Sequence, residues 1–183
     1  MKYKIGVFGS AAGDELERGL EAARVIGWMI ADQDFLLVTG ACPGLPFEAA
    51  RAAIRHGGKV LGISPAASLK EHVEAYKFPG DWHSTLVFTG FGKKGRNVIS
   101  VRTCDAAIFI QGRTGTLNEF SIAYDEGGPG YVIGVLTGRG GICDQLPGLV
   151  AGLGKPSQAK LLFLNDPEQL VRDVVSQLKM LHI

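Results

Sequence analysis

The residues best suited to chemistry lie in FIQGRTGTLNEF, residues 109 to 120, where an apolar run passes into a run of helical spacing. Gly112, Arg113, Thr114, Gly115 and Thr116 stand at the junction, and Glu119 follows one turn later. Two readings of this stretch stand side by side. The first backbone N–H groups of a helix lack intrahelical partners and carry the positive end of its dipole, so a phosphate can sit there. Thr116 and the Arg113 guanidinium would add side-chain donors. Equally, Thr116-Leu117-Asn118-Glu119 has the pattern of a capping box, in which the glutamate bonds back to the cap N–H.

Other chemistries find less support. GSAAGD after the first apolar run is not GxGxxG, no acidic residue closes the next strand to hold a ribose, and GxxxxGK[ST] does not occur. His56, His72, His83 and His182 lack metal-ligand spacing, so each reads as a surface or internally satisfied residue and no metal site is expected. Lys93 and Lys94 stand near the glycine loops, but nothing around either suggests a pyridoxal phosphate cradle. No cofactor is expected.

The elements that must position these residues follow from periodicity. KIGVFG (4–9) reads as a buried strand, DELERGLEAARVIGWMIADQ (14–33) as a helix, FLLVTG (35–40) as a strand and LPFEAARAAIRHGG (45–58) as a helix. KVLGIS (59–64) is a third strand, and the weakly periodic PAASLKEHVEAYKFPGDW is expected to run over the surface. STLVFTG (84–90) and AAIFIQG (106–112) are strands separated by a helix near KGRNVISVRTC. GTLNEFSIAYDEG (115–127) reads as helix, YVIGVLTG (131–138) and LLFLN (161–165) as strands, and Asp166-Pro167 as the cap and first position of a last helix. Continuous apolar strands alternating with helices predict one doubly wound α/β domain over 1–183, with a mainly parallel sheet covered on both faces. Ligands of such sheets bind beyond the carboxyl ends of the strands, where four of these loops carry glycine.

Bulk properties narrow the function. A formal net charge of +1 across 183 residues, with no basic tail, argues against a nucleic-acid coat protein. Cys42, Cys104 and Cys143 are odd in number and widely spaced, which suits a reducing cytosol. The first apolar run is short for a secretory signal, and no run approaches the ~18 residues of a membrane span. A cytoplasmic protein with no membrane partner is expected.

RNVISVRTCDAAIFIQGRTGTLNEF resembles the signature of the LONELY GUY family, in which an arginine-bearing segment leads into a strand and PGGxGTxxE opens a helix. Gly112, Gly115, Thr116 and Glu119 match that motif, and Arg96 matches the upstream arginine. TGACPGLP resembles the family's second glycine loop through Gly40 and Gly44, and GVFGSA its first through Gly9 and Ser10. The resemblance implies a Rossmann-like fold, a homodimer or larger assembly, and phosphoribohydrolase activity that cuts the N-glycosidic bond of nucleoside 5′-monophosphates. It also implies roles: Glu119 beside the sugar, stabilising an oxocarbenium-like transition state, and Arg96 holding the phosphate or the carboxylate. Gln111, Arg113 and Asn97 depart from the motif, where proline, glycine and lysine are usual. The molybdenum-cofactor carrier proteins resemble this family too. They imply the alternative of a non-catalytic binder of a phosphorylated cofactor.

Overall fold

The computed structural model describes residues 3–13 and 16–181; Asp14, Glu15 and His182 lie outside the described residues. Strands and helices alternate as β1 (Lys4–Gly9), α1 (Glu17–Asp32), β2 (Leu36–Thr39), α2 (Leu45–Arg55), β3 (Lys59–Ser64), α3 (Leu69–Glu74), β4 (Thr85–Phe88) and α4 (Gly92–Arg102). They continue as β5 (Ala106–Ile110), α5 (Thr114–Glu126), β6 (Val132–Leu136), a 3-10 turn (Ile142–Asp144), α6 (Leu146–Gly152), β7 (Lys160–Leu164) and α7 (Pro167–Leu181). The seven strands form one sheet in the order β4-β3-β2-β1-β5-β6-β7, every neighbouring pair parallel. This is the doubly wound α/β architecture that the alternation predicts.

Period two decides which side chain serves which layer. Along β5, Ala106, Ile108 and Ile110 face the layer of α1, α2 and α7, whereas Ala107 and Phe109 face the layer containing α4 and α5. Because both layers are apolar, β5 and β6 are buried at every residue. They therefore read as unbroken hydrophobic runs rather than alternating ones. Asp166 caps α7 as expected, its Oδ1 accepting from the N–H of Gln169 at 2.7 Å.

Two sequence expectations change. The segment expected to run over the surface contains α3, whose cap Ser68 accepts from the N–H of Glu71 at 3.2 Å while Glu71 Oε2 accepts from the N–H of Ala67 at 2.8 Å. His72 on that helix is fully buried, between the Ser64 hydroxyl at 2.8 Å and the Pro79 carbonyl at 2.9 Å. A short helix with one buried polar residue leaves little periodic signal, which is why the pattern did not declare it. Between β6 and β7, the sequence assigned no element where the 3-10 turn and α6 stand. Among the described residues, no helix is long and apolar enough to cross a membrane.

Helices α1 and α2 pack so closely that Gly27 admits no side chain. A Cβ there would lie 2.1 Å from the backbone oxygen of Ala49. Backbone cannot yield as a flexible side chain can, so Gly27→Ala is expected to lower unfolding stability by about 1–3 kcal/mol. Urea denaturation checks this: the midpoint falls while the slope stays constant.

Candidate functional site

The chain order reverses between β1 and β5. From β1 the chain steps outward through β2, β3 and β4, then crosses back to place β5 on the other side of β1. The loops after β1 and β5 therefore leave in opposite directions, and a crevice opens between them. A cleft of about 500 Å³ occupies that crevice. Its lining comes from the loop after β1 (Gly9, Ser10, Ala11), the loop after β2 (Cys42), the connector before β4 (Phe78), α4 (Lys93, Lys94, Arg96, Asn97) and the start of α5 (Arg113 to Thr116, with Glu119). The groove between α1 and α7, though also sizeable, lies on the helical layer away from these loops.

Several candidate residues shape the cleft without lining it. Gly40 makes room for Arg96, since a Cβ at 40 would sit 1.7 Å from Nη1 of that guanidinium. Gly44, at φ +80°, brings the second loop against the first, where the N–H of Leu45 donates to the Ser10 carbonyl at 2.9 Å. Gly112, at φ +89°, sits over Thr116, and its N–H donates to the Ser10 hydroxyl at 2.9 Å. Ser10 thus ties the first loop to the fifth. Gly115 faces open space, so the helix start is bare of side chain on that side.

The capping-box reading is overturned. Helix α5 begins at Thr114, three residues earlier than that reading requires, and its cap Arg113 makes no side-chain capping bond. Glu119 instead turns inward, 6% exposed, towards Arg96, itself 5% exposed. Their closest approach is 3.5 Å between Arg96 Nη1 and Glu119 Oε1, loose for an ion pair. Arg96 Nε is buried with no hydrogen-bond partner. Asn97 completes the cluster: its amide nitrogen donates to Asn118 Oδ1 at 2.7 Å, and with the amide turned over it would instead donate to the Lys93 carbonyl at 2.9 Å and to Glu119 Oε1 at 3.2 Å.

Burial dominates the electrostatics. It pushes the Glu119 carboxyl up to about 7, against the pull of Arg96 and Lys94. It likewise pushes the Cys42 thiol up to about 11, although Arg96 lies nearby. Lys93, Lys94, Arg96 and Arg113 line the cleft, and Glu119 is the single acidic side chain among the lining residues. Such a basin attracts anions.

Gln111 explains one departure from the resembled motif. Its φ is +55°, which proline, fixed near −65°, cannot adopt. The turn here is left-handed, and the Gln111 side chain uses it to donate to the Arg139 carbonyl at 2.7 Å. The β6 loop also braces this turn, as the N–H of Ile142 donates to the Gly112 carbonyl at 2.8 Å. Sequence reasoning did not find Phe78 or Cys42. Lys93, Arg96 and Asn97 fall at i, i+3 and i+4, a spacing that places them on one helix face.

The chain belongs to the SLOG cluster4 family, whose model matches residues 2–171. An uncharacterized protein of Archaeoglobus fulgidus is 32% identical over 124 residues, 68% of this chain and 75% of that one. The fold matches the structural-genomics target TM1055 with a TM-score of 0.81 and 22% identity, covering 96% of this chain and 99% of that one. It also matches the molybdenum cofactor binding protein of Rippkaea orientalis (TM-score 0.72, 24% identity, 96% and 97% covered). DNA processing protein A of Streptococcus pneumoniae shares the fold at a TM-score of 0.59 and 18% identity, with 94% of this chain and 61% of that one covered.

The titration of Glu119 has a measurable consequence. Its folded value of about 7 exceeds the ordinary 4.5, so its contribution to stability is full below pH 4.5 and is lost as pH rises through about 7. The difference amounts to about 3 kcal/mol. Glu119→Gln removes this dependence, because a neutral side chain cannot titrate. Unfolding free energies from pH 4 to 8 are expected to show the wild type falling relative to the variant across that window.

Proposed function

We propose that this member of the SLOG cluster4 family is a phosphoribohydrolase, with residues 1–183 forming one ligand-binding domain. It takes a nucleoside 5′-monophosphate and cleaves its N-glycosidic bond to free base and ribose 5-phosphate. The observation that carries this reading is the buried Arg96–Glu119 pair on the floor of a cleft whose other charged groups are all cationic. A carboxyl held near 7 is divided between its two forms at neutral pH, as proton transfer requires. The likeness of the Arg96 and Glu119 positions to the LONELY GUY motif supports the same assignment.

In this reading the phosphate binds at the start of α5. Thr114, Gly115 and Thr116 offer N–H groups that precede the first intrahelical bond, which runs from the Leu117 N–H to the Arg113 carbonyl at 2.9 Å. Arg113 adds a guanidinium at the rim, and the unpartnered Nε of Arg96 is a further donor. Glu119 as carboxylate stabilises positive charge developing on the anomeric carbon and takes a proton from the attacking water. The water oxygen bonds to that carbon and the carbon–nitrogen bond breaks. Its electron pair leaves with the base, which accepts a proton.

A second reading, a non-catalytic carrier of a phosphorylated cofactor, rests on two observations. The fold is shared with proteins described as molybdenum cofactor binders and carriers. The catalytic motif also departs from its family form at Asn97, Gln111 and Arg113. Turnover decides between the two.

The pure protein, incubated with a panel of nucleoside monophosphates, is expected to release base, faster as pH rises through 7, and Glu119→Ala should abolish release. Thermal stabilisation by these ligands without release would establish the carrier. Arg113→Gly should leave unfolding stability nearly unchanged, because glycine is an acceptable cap residue. It should weaken binding of the phosphorylated ligand roughly 10-fold or more through loss of charge-assisted bonds. Calorimetric titration of both forms measures this; equal affinities would remove Arg113 from the site.

A further inference from the structure

The proposed reaction leaves one end of the cleft without a role. Phe78 is the one aromatic residue among the described residues lining it, and it comes from the irregular connector between α3 and β4 rather than from a strand-end loop. That ring is held in place. Its own N–H donates to the His72 carbonyl at 3.0 Å, and its ring meets the fully buried His72 ring edge-on at 5.6 Å. The Tyr76 ring packs on it at 5.5 Å. Lys77, immediately before it, is at φ +57°, a conformation that non-glycine residues rarely adopt and that turns the chain here.

Phe78 is nevertheless only half-buried and forms part of the cleft wall. Lys93 Nζ lies 5.9 Å from its ring centroid, at the range of a cation–π contact. The ring face therefore already has an ammonium donor over it, which a stacked heterocycle would displace towards its own edge. The chemistry around this end is one-sided: Lys93 supplies ammonium donors, and burial keeps Cys42 as a thiol rather than a thiolate. Glu119 faces Arg96, the Asn97 amide is engaged with Asn118, and the Ser10 hydroxyl is held by the Gly112 N–H.

We propose that Phe78 is the stacking platform for the ligand's planar heterocycle, and that Lys93 selects rings carrying carbonyl oxygens over rings carrying amino groups at the same edge. The inference rests on the phosphate-binding reading above and names its substrate class: an oxo-purine or similar carbonyl-bearing heterocycle joined to a phosphorylated sugar. A heterocycle stacked on a fixed ring gains contact area at little entropic cost, because the ring does not have to be ordered first. Its ring carbonyl accepts from Lys93, whereas an amino group there meets a second donor and leaves both unpaired.

Three probes separate the parts: inosine 5′-monophosphate, adenosine 5′-monophosphate and ribose 5-phosphate. Each is titrated calorimetrically into the wild type, Phe78→Leu, Phe78→Trp and Lys93→Met, with base release followed by chromatography. Wild type is expected to bind the inosine nucleotide more tightly than the adenosine nucleotide. Phe78→Leu should weaken the inosine nucleotide by about 10-fold while leaving ribose 5-phosphate within about 2-fold, and Phe78→Trp should keep the affinity. Lys93→Met should erase the preference for the carbonyl ring. An equal loss of ribose 5-phosphate and nucleotide on Phe78→Leu, or no loss of either, overturns the stacking role. An unchanged ring preference in Lys93→Met overturns the selection. If none of the three probes binds the wild type, the phosphate-binding reading fails and this inference with it; if ribose 5-phosphate binds but the nucleotides bind no better, only this inference fails.

Discussion

The β1–β5 ladder is the seam on which the arrangement depends. Ile5 to Gly9 pair in register with Ala106 to Ile110, and at the carboxyl end the two backbones come so close that a Cβ on Gly9 would lie 2.3 Å from the Ile110 oxygen. Because every strand is parallel, all carboxyl ends open on one edge. Because the chain order reverses at this seam, the helices that follow β1 and β5 leave on opposite faces of the sheet and a crevice opens beside the two loops, which the Gly112 N–H and the Ser10 hydroxyl tie together. A side chain at position 9 would force the seam apart and pull Ser10 away from Gly112. The cleft is thus a consequence of connectivity, and the glycines keep its walls close.

Charge is distributed within the cleft in a way that the sheet alone does not require. A buried carboxylate beside a guanidinium at 3.5 Å recovers only part of its desolvation, so Glu119 stays near neutrality in its protonation and Arg96 keeps a donor unpartnered. Natural cores seldom retain such an imbalance for packing. Here it is supported from outside: Gly40 makes space for the guanidinium, and Asn97 stands beside the carboxyl on α4, its amide 3.2 Å from Glu119 Oε1. The departures from the resembled motif fit this picture. Gln111 permits a left-handed turn that proline forbids, and Arg113 adds a cation where the bare helix start already favours an anion.

Local signatures misled where two of them competed for the same residues. Ser/Thr-x-x-Glu occurs at Thr116–Glu119 and at Ser68–Glu71, and capping contacts form only at the second. Nothing local distinguishes them. Glu71 is near solvent and free to reach back to the chain, whereas Glu119 is drawn inward by Arg96, 23 residues earlier. The tertiary pair overrides the local bond. Similarly, α6 and the connector carrying Phe78 left no periodic signal, since short elements at the rim bury few residues and those they bury need not be apolar.

What the sequence determined by itself was the seven strands and the alternation with α1, α2, α4, α5 and α7, the parallel sheet, and the placing of Gly9, Ser10 and Thr114 to Glu119 near strand ends with Arg96 on the helix before β5. Apolar runs fully buried on both faces, glycines after them and helical spacing between them leave few other solutions. Tertiary structure alone decided which loops meet and how their charges are tuned. Gly40 and Gly44 became supports rather than lining, Phe78 and Cys42 entered the cleft from segments with no motif, and Glu119 moved from a cap to a buried partner. The reason is physical. Strand and helix patterns are set by neighbours a few residues apart, but desolvation and close backbone approach depend on residues that only folding brings together.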